Sequence, residues 1–180
     1  MRNIKYNKTN SIWRKNMCKK YRIGIDAGGT KVAYGLFDAD GQLLDRMQHP
    51  SDIHADGPAF SDRMIETIRE IEEKHDLKNE DLQGIGICMP SYILFDTGYV
   101  YLTSALTNIR DFPMKEYLQE RLPGVKIVLD NDSNAAALAE YRKGAGRGSR
   151  HMIYMATSTG IGSGIIIDGK LFRGSYGWAG

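Results

Sequence analysis

An acid followed by two glycines stands near the start of the chain, in Asp26-Ala27-Gly28-Gly29-Thr30-Lys31. Glycines free the backbone to adopt positive φ and let its N–H groups approach a ligand without a Cβ in between, as a phosphate-binding turn requires. Thr30 and Lys31 add a hydroxyl and a cation. Walker loops and Rossmann turns open helices, whereas a strand follows here, so the segment is either a phosphate-binding hairpin or a hairpin without a ligand.

A second segment near the end of the sequence repeats this arrangement. Met155-Ala156-Thr157-Ser158-Thr159-Gly160-Ile161-Gly162-Ser163-Gly164 leads into Ile165-Ile166-Ile167, which again predicts a strand, a Gly/Thr turn and a strand. Each copy ends in an acid-glycine turn, Asp38-Ala39-Asp40-Gly41 in the first and Asp168-Gly169 in the second. Two equivalent hairpins indicate a duplicated architecture, and two such turns facing each other could hold a polyphosphate from both sides.

Asp130-Asn131-Asp132 is the third segment with side chains suited to chemistry. It follows an apolar strand at residues 125–129 and precedes an alanine-rich helix from Ser133 to about Lys143. In α/β sheets, ligands bind outside the carboxyl ends of strands, so this strand end and that of residues 23–26 should face one cleft. Asp132 could be the N-cap of the helix, a general base, or both, because the two roles are compatible.

Alternating strands and helices must position these three segments. The apolar stripe of the first helix is predicted to be core, and the strand after it to lie parallel to the first strand. In order, the predicted elements are a three-stranded meander in residues 22–48 with its third strand at 42–47, a helix from about 60 to 75, a strand at 83–89, a loop at 90–111, and a helix from Pro113 to about Leu122.

The composition is that of a globular protein, since 42% of the 180 residues are apolar. Cys18 and Cys88 have no metal-ligand or disulfide spacing, which indicates isolated thiols and fits the cytoplasm. No apolar run reaches the length of a membrane span or of a signal peptide. Residues 1–20 carry seven cations and no acid, so residues 21–180 have a net charge of −5 against +2 for the whole chain. We expect a disordered basic leader and an acidic remainder that does not bind nucleic acid.

In their order along the chain, these motifs resemble those of the ROK family, which comprises sugar kinases and sugar-responsive repressors. The resemblance covers residues 21–180. It implies the actin-like (ribonuclease H-like) ATPase fold, an α/β fold with a mixed sheet and flanking helices. The implied division is a leader at 1–20, an N-terminal domain at 21–146 and the opening hairpin of a second such domain at 147–180. The motifs that carry the resemblance are the Asp26 hairpin, Asp130-Asn131-Asp132-Ser133-Asn134-Ala135-Ala136, Thr159-Gly160-Ile161-Gly162 and Gly174-Ser175-Tyr176-Gly177-Trp178-Ala179-Gly180.

The same resemblance implies phosphoryl transfer from Mg-ATP to a sugar hydroxyl. Asp132 would be the catalytic base, Asn131 would bind neighbouring sugar hydroxyls, and Asn108 would be a further sugar ligand. Asp26 would hold Mg²⁺ through water. The ligands of the ATP phosphates would be Gly28, Gly29, Thr30, Thr159, Gly160 and Gly162, with Lys31 beside them.

The sequence departs from the family pattern at three serines and at its end. Ser158 stands where the first glycine of a Gly-Thr-Gly turn is usual, Ser91 where glycine is usual, and Ser133 where alanine is usual. After Gly180 the family continues with sugar-binding residues, a Cys-rich motif for a structural zinc, and most of the nucleotide-binding domain. We therefore expect a fragment that by itself binds ATP weakly and does not turn over.

The resemblance leaves more than one function open. The leading interpretation is an ATP-dependent hexose kinase such as glucokinase, with glucose, mannose, fructose or an N-acetylated hexosamine as substrate. The alternatives are the sugar-sensing domain of a ROK-type repressor and a non-catalytic homologue. The phosphate loop, Asp132 and a leader without the pattern of a winged helix-turn-helix favour the kinase. The expected partners are a sugar and ATP, without nucleic acid or membrane, and the full-length form is expected to be a homo-oligomer.

Overall fold

The computed structural model describes residues 20–157 and 160–180. The basic leader, apart from Lys20, and the residues Ser158 and Thr159 lie outside this range. No helix within it is long and apolar enough to cross a membrane. In chain order, the elements are β1 (Tyr21–Ala27), β2 (Lys31–Phe37), β3 (Leu43–Pro50), α1 (Gly57–Lys74), β4 (Leu82–Met89), β5 (Ser91–Leu94), β6 (Tyr99–Thr103), β7 (Arg110–Phe112), α2 (Met114–Arg121), β8 (Lys126–Asn131), α3 (Asp132–Lys143), β9 (Met152–Thr157), β10 (Ile161–Ile167) and β11 (Lys170–Phe172).

A five-stranded mixed sheet lies at the centre of the structure, with the strand order β3-β2-β1-β4-β8. The first three strands are antiparallel neighbours, as the predicted meander requires, whereas β4 and β8 continue the sheet parallel to β1. The predicted mixed sheet is confirmed. β3 extends to Pro50, beyond its predicted end, because its last residues still pair with β2.

One face of this sheet packs against helices and forms the core. Strand residues alternate between the two faces, and α1 turns its predicted apolar stripe toward the buried one. Asp56 starts this helix as its N-cap by accepting a hydrogen bond from the Ala59 N–H. The buried apolar side chains of β1, β4 and α1 are Ile23, Ile25, Ala27, Leu82, Ile85, Ile87, Met89, Phe60, Met64, Ile68 and Ile71.

On the other face of the sheet, β1 and β4 carry glycines in their middle and polar side chains toward their carboxyl ends. Gly24, Gly84 and Gly86 line a shallow depression of about 500 Å³ there. By the same alternation along each strand, Asp26 and Cys88 follow these glycines toward the carboxyl ends. The acidic segments identified in the sequence therefore lie on the face opposite to the apolar core.

Residues 90–111 form a small sheet, so the prediction of a loop is wrong. β5, β6 and β7 pair as an antiparallel three-stranded sheet. The strands are only 4, 5 and 3 residues long, and turn residues such as Thr97-Gly98 separate them, which hides the period-two pattern. Four apolar residues tie this sheet to the core: Ile93, Val100, Leu106 and Ile109.

The last part of the chain forms another antiparallel sheet, in the order β11-β10-β9. This confirms the two predicted strands, whereas Ser158 and Thr159 of the predicted turn lie outside the described residues. Asp168 (φ 49°) and Gly169 (φ 73°) both have the positive φ that a type I′ turn requires between β10 and β11. β10 packs directly against α3, because a Cβ added to Gly164 would collide with Ala137.

Candidate functional site

Three side chains at the carboxyl ends of the parallel strands lie in one row. The register pairs Asp26 of β1 with Cys88 of β4, and Cys88 with Asp130 of β8. Since neighbouring strands are about 4.8 Å apart, the backbones at Asp26 and Asp130 are roughly 10 Å apart. The structure therefore brings together the two acidic segments whose strand ends were predicted to face one cleft.

Cys88 lies between these carboxylates and keeps its proton at neutral pH. Its thiol donates to Asp26 Oδ1 over 3.8 Å. Burial, followed by the charges of Asp26, Asp132 and Asp130, raises the pKa of the Cys88 thiol to about 12. Sequence reasoning treated Cys88 as an isolated thiol, and only the strand register reveals its position.

Asp132 is the first residue of α3 and is not its N-cap, so the capping interpretation is wrong. Asn131 is the cap, because its Oδ1 accepts hydrogen bonds from the N–H groups of Ser133 (2.8 Å) and Asn134 (3.3 Å). Within the described part of the chain, the half-buried Asp132 carboxylate contacts only Ser133, through Oδ1. The second oxygen of Asp132 is left for another partner.

The two asparagines predicted to bind sugar are hydrogen-bonded within the protein. Asn131 Nδ2 donates to the Ser91 carbonyl at 3.2 Å. The side-chain oxygen of Asn131 thus caps α3, while its side-chain nitrogen connects the start of this helix to β5. Asn108 is exposed, and its Nδ2 donates to the His54 carbonyl at 2.7 Å. This contact anchors Asn108 to the loop before α1. Sugar binding by either asparagine remains a prediction.

The first glycine turn is a tight hairpin between β1 and β2. The Gly28 N–H donates to the Lys31 carbonyl at 3.0 Å, and Ser51 donates to the carbonyls of Gly28 and Thr30. The N–H groups of Gly29 and Thr30 have no partner among the described residues. Two backbone donors at this turn are therefore available to a ligand.

The glycines of this turn have a steric role. Neither Gly28 nor Gly29 has a positive φ, so the prediction that these glycines serve to give the turn positive φ is wrong. A Cβ added to Gly29 would be 2.8 Å from the Cβ of Ala105, in the loop after β6. Gly29 thus allows that loop to lie directly against the turn.

The second glycine turn faces the start of α3. Gly160 is exposed. Gly162 lies so close to Ser133 that an added Cβ would overlap the Ser133 hydroxyl. The Ser133 hydroxyl therefore lies beside Gly162 and 3.5 Å from Asp132 Oδ1. Thr159, predicted to bind phosphate with these glycines, lies outside the described residues.

The donor groups at the first turn suit a magnesium-bound phosphate chain. Asp26 is exposed, and free backbone N–H groups of the kind found at Gly29 and Thr30 are suited to phosphate oxygens. In the described ranges, no group of three or more His, Cys, Asp or Glu side chains could hold a metal. A magnesium ion at Asp26 would therefore take its other ligands from water and phosphate, as Mg²⁺ commonly does. The Lys31 side chain is exposed and forms no ion pair with the residues described.

Arg173 also reaches the site, although sequence reasoning did not identify it. It follows β11, and its guanidinium pairs with Asp130. The two residues are 43 positions apart and belong to different sheets, so neither spacing nor periodicity marks the contact. The structure thus adds Cys88 and Arg173 to the predicted residues.

Comparison with known proteins identifies relatives of the chain among both kinases and repressors. A sequence model of the ROK family matches residues 22–180. The glucokinase of Halalkalibacterium halodurans is 34% identical over 168 residues, which are 91% of this chain and 49% of that protein. The xylose repressor of Bacillus spizizenii is 33% identical over 162 residues, which are 89% of this chain and 41% of the repressor. The chain spans about half the length of the curated relatives it matches.

A solved structure extends the comparison to the fold. The ROK family glucokinase from Streptomyces griseus, in complex with glucose and AMPPNP, has a TM-score of 0.72 and 34% identity. The match covers 87% of this chain and 47% of that one. The predicted actin-like ATPase fold is confirmed.

Proposed function

Because this chain belongs to the ROK family, we propose that it is the amino-terminal part of an ATP-dependent hexose kinase. The observation that carries the proposal is the position of Asp132, which adjoins the second glycine turn through Ser133 and has one carboxylate oxygen without a partner among the described residues. Asp26 and the first glycine turn lie across the same strand ends. A base and phosphate ligands at one edge of a sheet suit phosphoryl transfer, which depends on positioning and charge neutralisation.

In this proposal Asp132 accepts the proton of a sugar hydroxyl. The hydroxyl oxygen forms a bond to the terminal phosphorus of ATP, and the bond from that phosphorus to the bridging oxygen of ADP breaks. ADP leaves with the electron pair of the broken bond. The cap bonds of Asn131 hold the backbone on both sides of Asp132, which restricts where the carboxylate can lie.

The glycine turns bind the phosphates of ATP in the same proposal. Gly29 and Thr30 would donate their N–H groups, which have no partner in the described part of the chain, and Gly160, Gly162 and Thr159 would contribute from the second turn. Asp26 would hold Mg²⁺, which when bound neutralises charge on the phosphates. Lys31 would remain at the edge of the site.

The relatives support a hexose as the phosphate acceptor. The Halalkalibacterium relative is named glucokinase, and the Streptomyces griseus structure contains glucose with AMPPNP, an ATP analogue. We propose glucose as the first sugar to test, followed by mannose, fructose and N-acetylated hexosamines. The domain division at residue 146, a cytoplasmic location, a homo-oligomeric full-length form and a structural zinc outside these 180 residues belong to the same proposal.

A sugar sensor is the second candidate. The xylose repressor of Bacillus spizizenii is 33% identical to the chain, close to the 34% of the glucokinase, although fewer of its residues are covered. A sensor would bind sugar at the same strand ends and leave ATP uncleaved. Sugar binding alone therefore does not separate the two candidates.

ADP release with a panel of hexoses separates them. The full-length protein is given Mg-ATP and each sugar in turn, while calorimetry on the same preparation measures sugar binding. We expect sugar-dependent ADP release, equimolar with sugar phosphate, and only background release without sugar. Sugar binding without ADP release for every hexose would overturn the kinase proposal in favour of the sensor.

A further inference from the structure

Arg173 and Asp130 form a largely buried ion pair beside the proposed base. Arg173 Nη2 and Nε donate to Asp130 Oδ2 at 2.6 and 3.2 Å. The two side chains are only 24% and 16% exposed. The guanidinium carbon also lies 3.5 Å from the ring centroid of Phe95, between β5 and β6. Packing on two sides therefore restricts the position of this cation.

The other oxygen of Asp130 holds the turn that carries Asp132. Asp130 Oδ1 accepts from the Asn131 N–H at 2.9 Å and from Asn134 Nδ2 at 3.0 Å. Asn134 is 2% exposed, so this amide has few alternative partners. The Asp130 carboxylate thus binds Arg173 through Oδ2. Through Oδ1 it binds both ends of the Asn131–Asn134 turn.

The second partner of this pair belongs to the sheet that carries the second glycine turn. Arg173 directly follows β11, which pairs with β10, and β10 begins at the Gly160–Gly162 turn. The Arg173 carbonyl accepts from the Ala179 N–H at 3.1 Å, which anchors the residue on its other side. The ion pair therefore connects the proposed base with the proposed phosphate turn.

We propose that Arg173 and Asp130 are positioning residues that fix Asp132 relative to the second glycine turn. The inference rests on the proposed function, since it assigns the pair a role in aligning the base with the phosphate. A displacement of about 1 Å between reacting groups lowers a rate by about 100-fold, so loss of the pair should act on kcat. Sugar affinity should change little, because neither residue is a proposed sugar ligand.

The test compares Arg173→Gln, Arg173→Lys and Asp130→Asn in the full-length protein. For Arg173→Gln we expect kcat per folded site to fall about 10- to 100-fold while the sugar dissociation constant stays within about 3-fold. Arg173→Lys retains a cation and should recover part of kcat. The double variant with Arg173→Gln and Asp130→Asn should have a kcat no lower than that of the slower single variant, because each substitution removes the same ion pair. The matched control is Arg150→Ala, which removes an exposed arginine paired with Asp168.

A second measurement is independent of turnover. Hydrogen exchange at the capped amides of Ser133 and Asn134 should accelerate in Arg173→Gln and remain unchanged in Arg150→Ala. Unchanged exchange at these amides would overturn the inference even if the unmodified protein released no ADP. Wild-type kcat in Arg173→Gln, in a protein that does turn over, would also overturn it. Absence of turnover in the unmodified protein contradicts the proposed function instead, so the two failures are distinguishable.

Discussion

At the residue scale, the strand ends place four ionisable side chains in different surroundings. Asp130 forms an ion pair with Arg173, and Cys88 keeps its proton because burial and three carboxylates raise the pKa of its thiol. Asp26 is exposed, and Asp132 has an oxygen without a partner in the described part of the chain. The charges available to a ligand are thus those of Asp26 and Asp132, one near each glycine turn.

Gly29→Ala tests the close approach of the first turn to the loop after β6. The new Cβ would be 2.8 Å from the Ala105 Cβ, so we expect the free energy of unfolding to fall by about 1–3 kcal/mol. Urea denaturation of the 180-residue chain measures this loss. In an Ala105→Gly background the same substitution should cost much less, since the opposing Cβ is gone. Equal losses in the two backgrounds would refute the steric role of Gly29.

At the element scale, the contact between α3 and β10 joins the first sheet to the last. Gly162 lies against Ser133, and Gly164 lies against Ala137. Ser133 and Ala137 are four residues apart and therefore on one side of α3. Small residues on both elements let the strand lie directly on the helix. This contact holds the second glycine turn beside Asp132.

Gly164→Ala should separate the strand from the helix. The added Cβ would overlap Ala137, so we expect a loss of about 2 kcal/mol or more in the free energy of unfolding. Gly86→Ala in β4 is the matched control, because no atom lies within 4 Å of its added Cβ. Chemical denaturation measures the free energy of unfolding of both variants. Similar values for the two would show that the close packing of β10 on α3 is unimportant for stability.

The end of α1 is joined to β3 by Asp45, whose carboxylate contacts Lys74 Nζ and His75 Nε2, each at 2.8 Å. The hydrogen bond from Lys74, followed by that from His75, lowers the pKa of Asp45 well below its usual value. Because the folded pKa is lowered, the stabilisation is complete above the ordinary aspartate pKa of about 3.9 and is lost as the pH falls through the folded value.

Asp45→Asn should therefore flatten the acid part of the stability profile. We expect the urea concentration at the midpoint of unfolding of the parent chain to decrease as the pH is lowered from about 5 to about 2. The decrease should be smaller in Asp45→Asn. Asp40→Asn is the control, since Asp40 lies in an exposed turn and its side chain forms no ion pair with described residues. Parallel profiles for the parent and Asp45→Asn would contradict the role of this contact.

Periodicity predicted the long elements and missed the short ones. The stripe of α1 and the alternation in β1 and β4 carry enough residues to define helix or strand. The strands β5, β6 and β7 are too short and too rich in turn residues for this. At the site, the rule for strand ends predicted that the carboxyl ends of β1 and β8 face one cleft. The N-cap at Asn131, the thiol of Cys88 and the Arg173 pair depend on register and tertiary packing, which a single sequence does not encode locally.

At the scale of the whole molecule, the two glycine turns belong to different sheets. The first turn connects β1 and β2 of the central sheet, and the second connects β9 and β10. The distance between the proposed phosphate ligands therefore depends on how these sheets are held together. The α3 contact and the Arg173–Asp130 pair are two of the described interactions that hold these sheets together.

The match to about half of each related glucokinase leads to a prediction about the chain by itself. Since the relatives are about twice as long, we expect the 180-residue chain to bind ATP more weakly than the full-length protein and to release no sugar-dependent ADP. Calorimetry with AMPPNP and an ADP-release assay on both proteins measure this. Sugar-dependent ADP release from the 180 residues alone would show that they contain a complete site.

Asp132→Asn in the full-length protein shows whether Asp132 is the base of a sugar kinase. The measurement is kcat for sugar-dependent ADP release together with the sugar dissociation constant. The control is Asp168→Asn, because Asp168 lies in a turn with positive φ, a conformation that asparagine also adopts. We predict that kcat falls by about 100- to 10,000-fold while sugar binding persists, because a general base contributes a factor of this size. A variant that turns over as fast as the parent would contradict the assignment of Asp132 as the base.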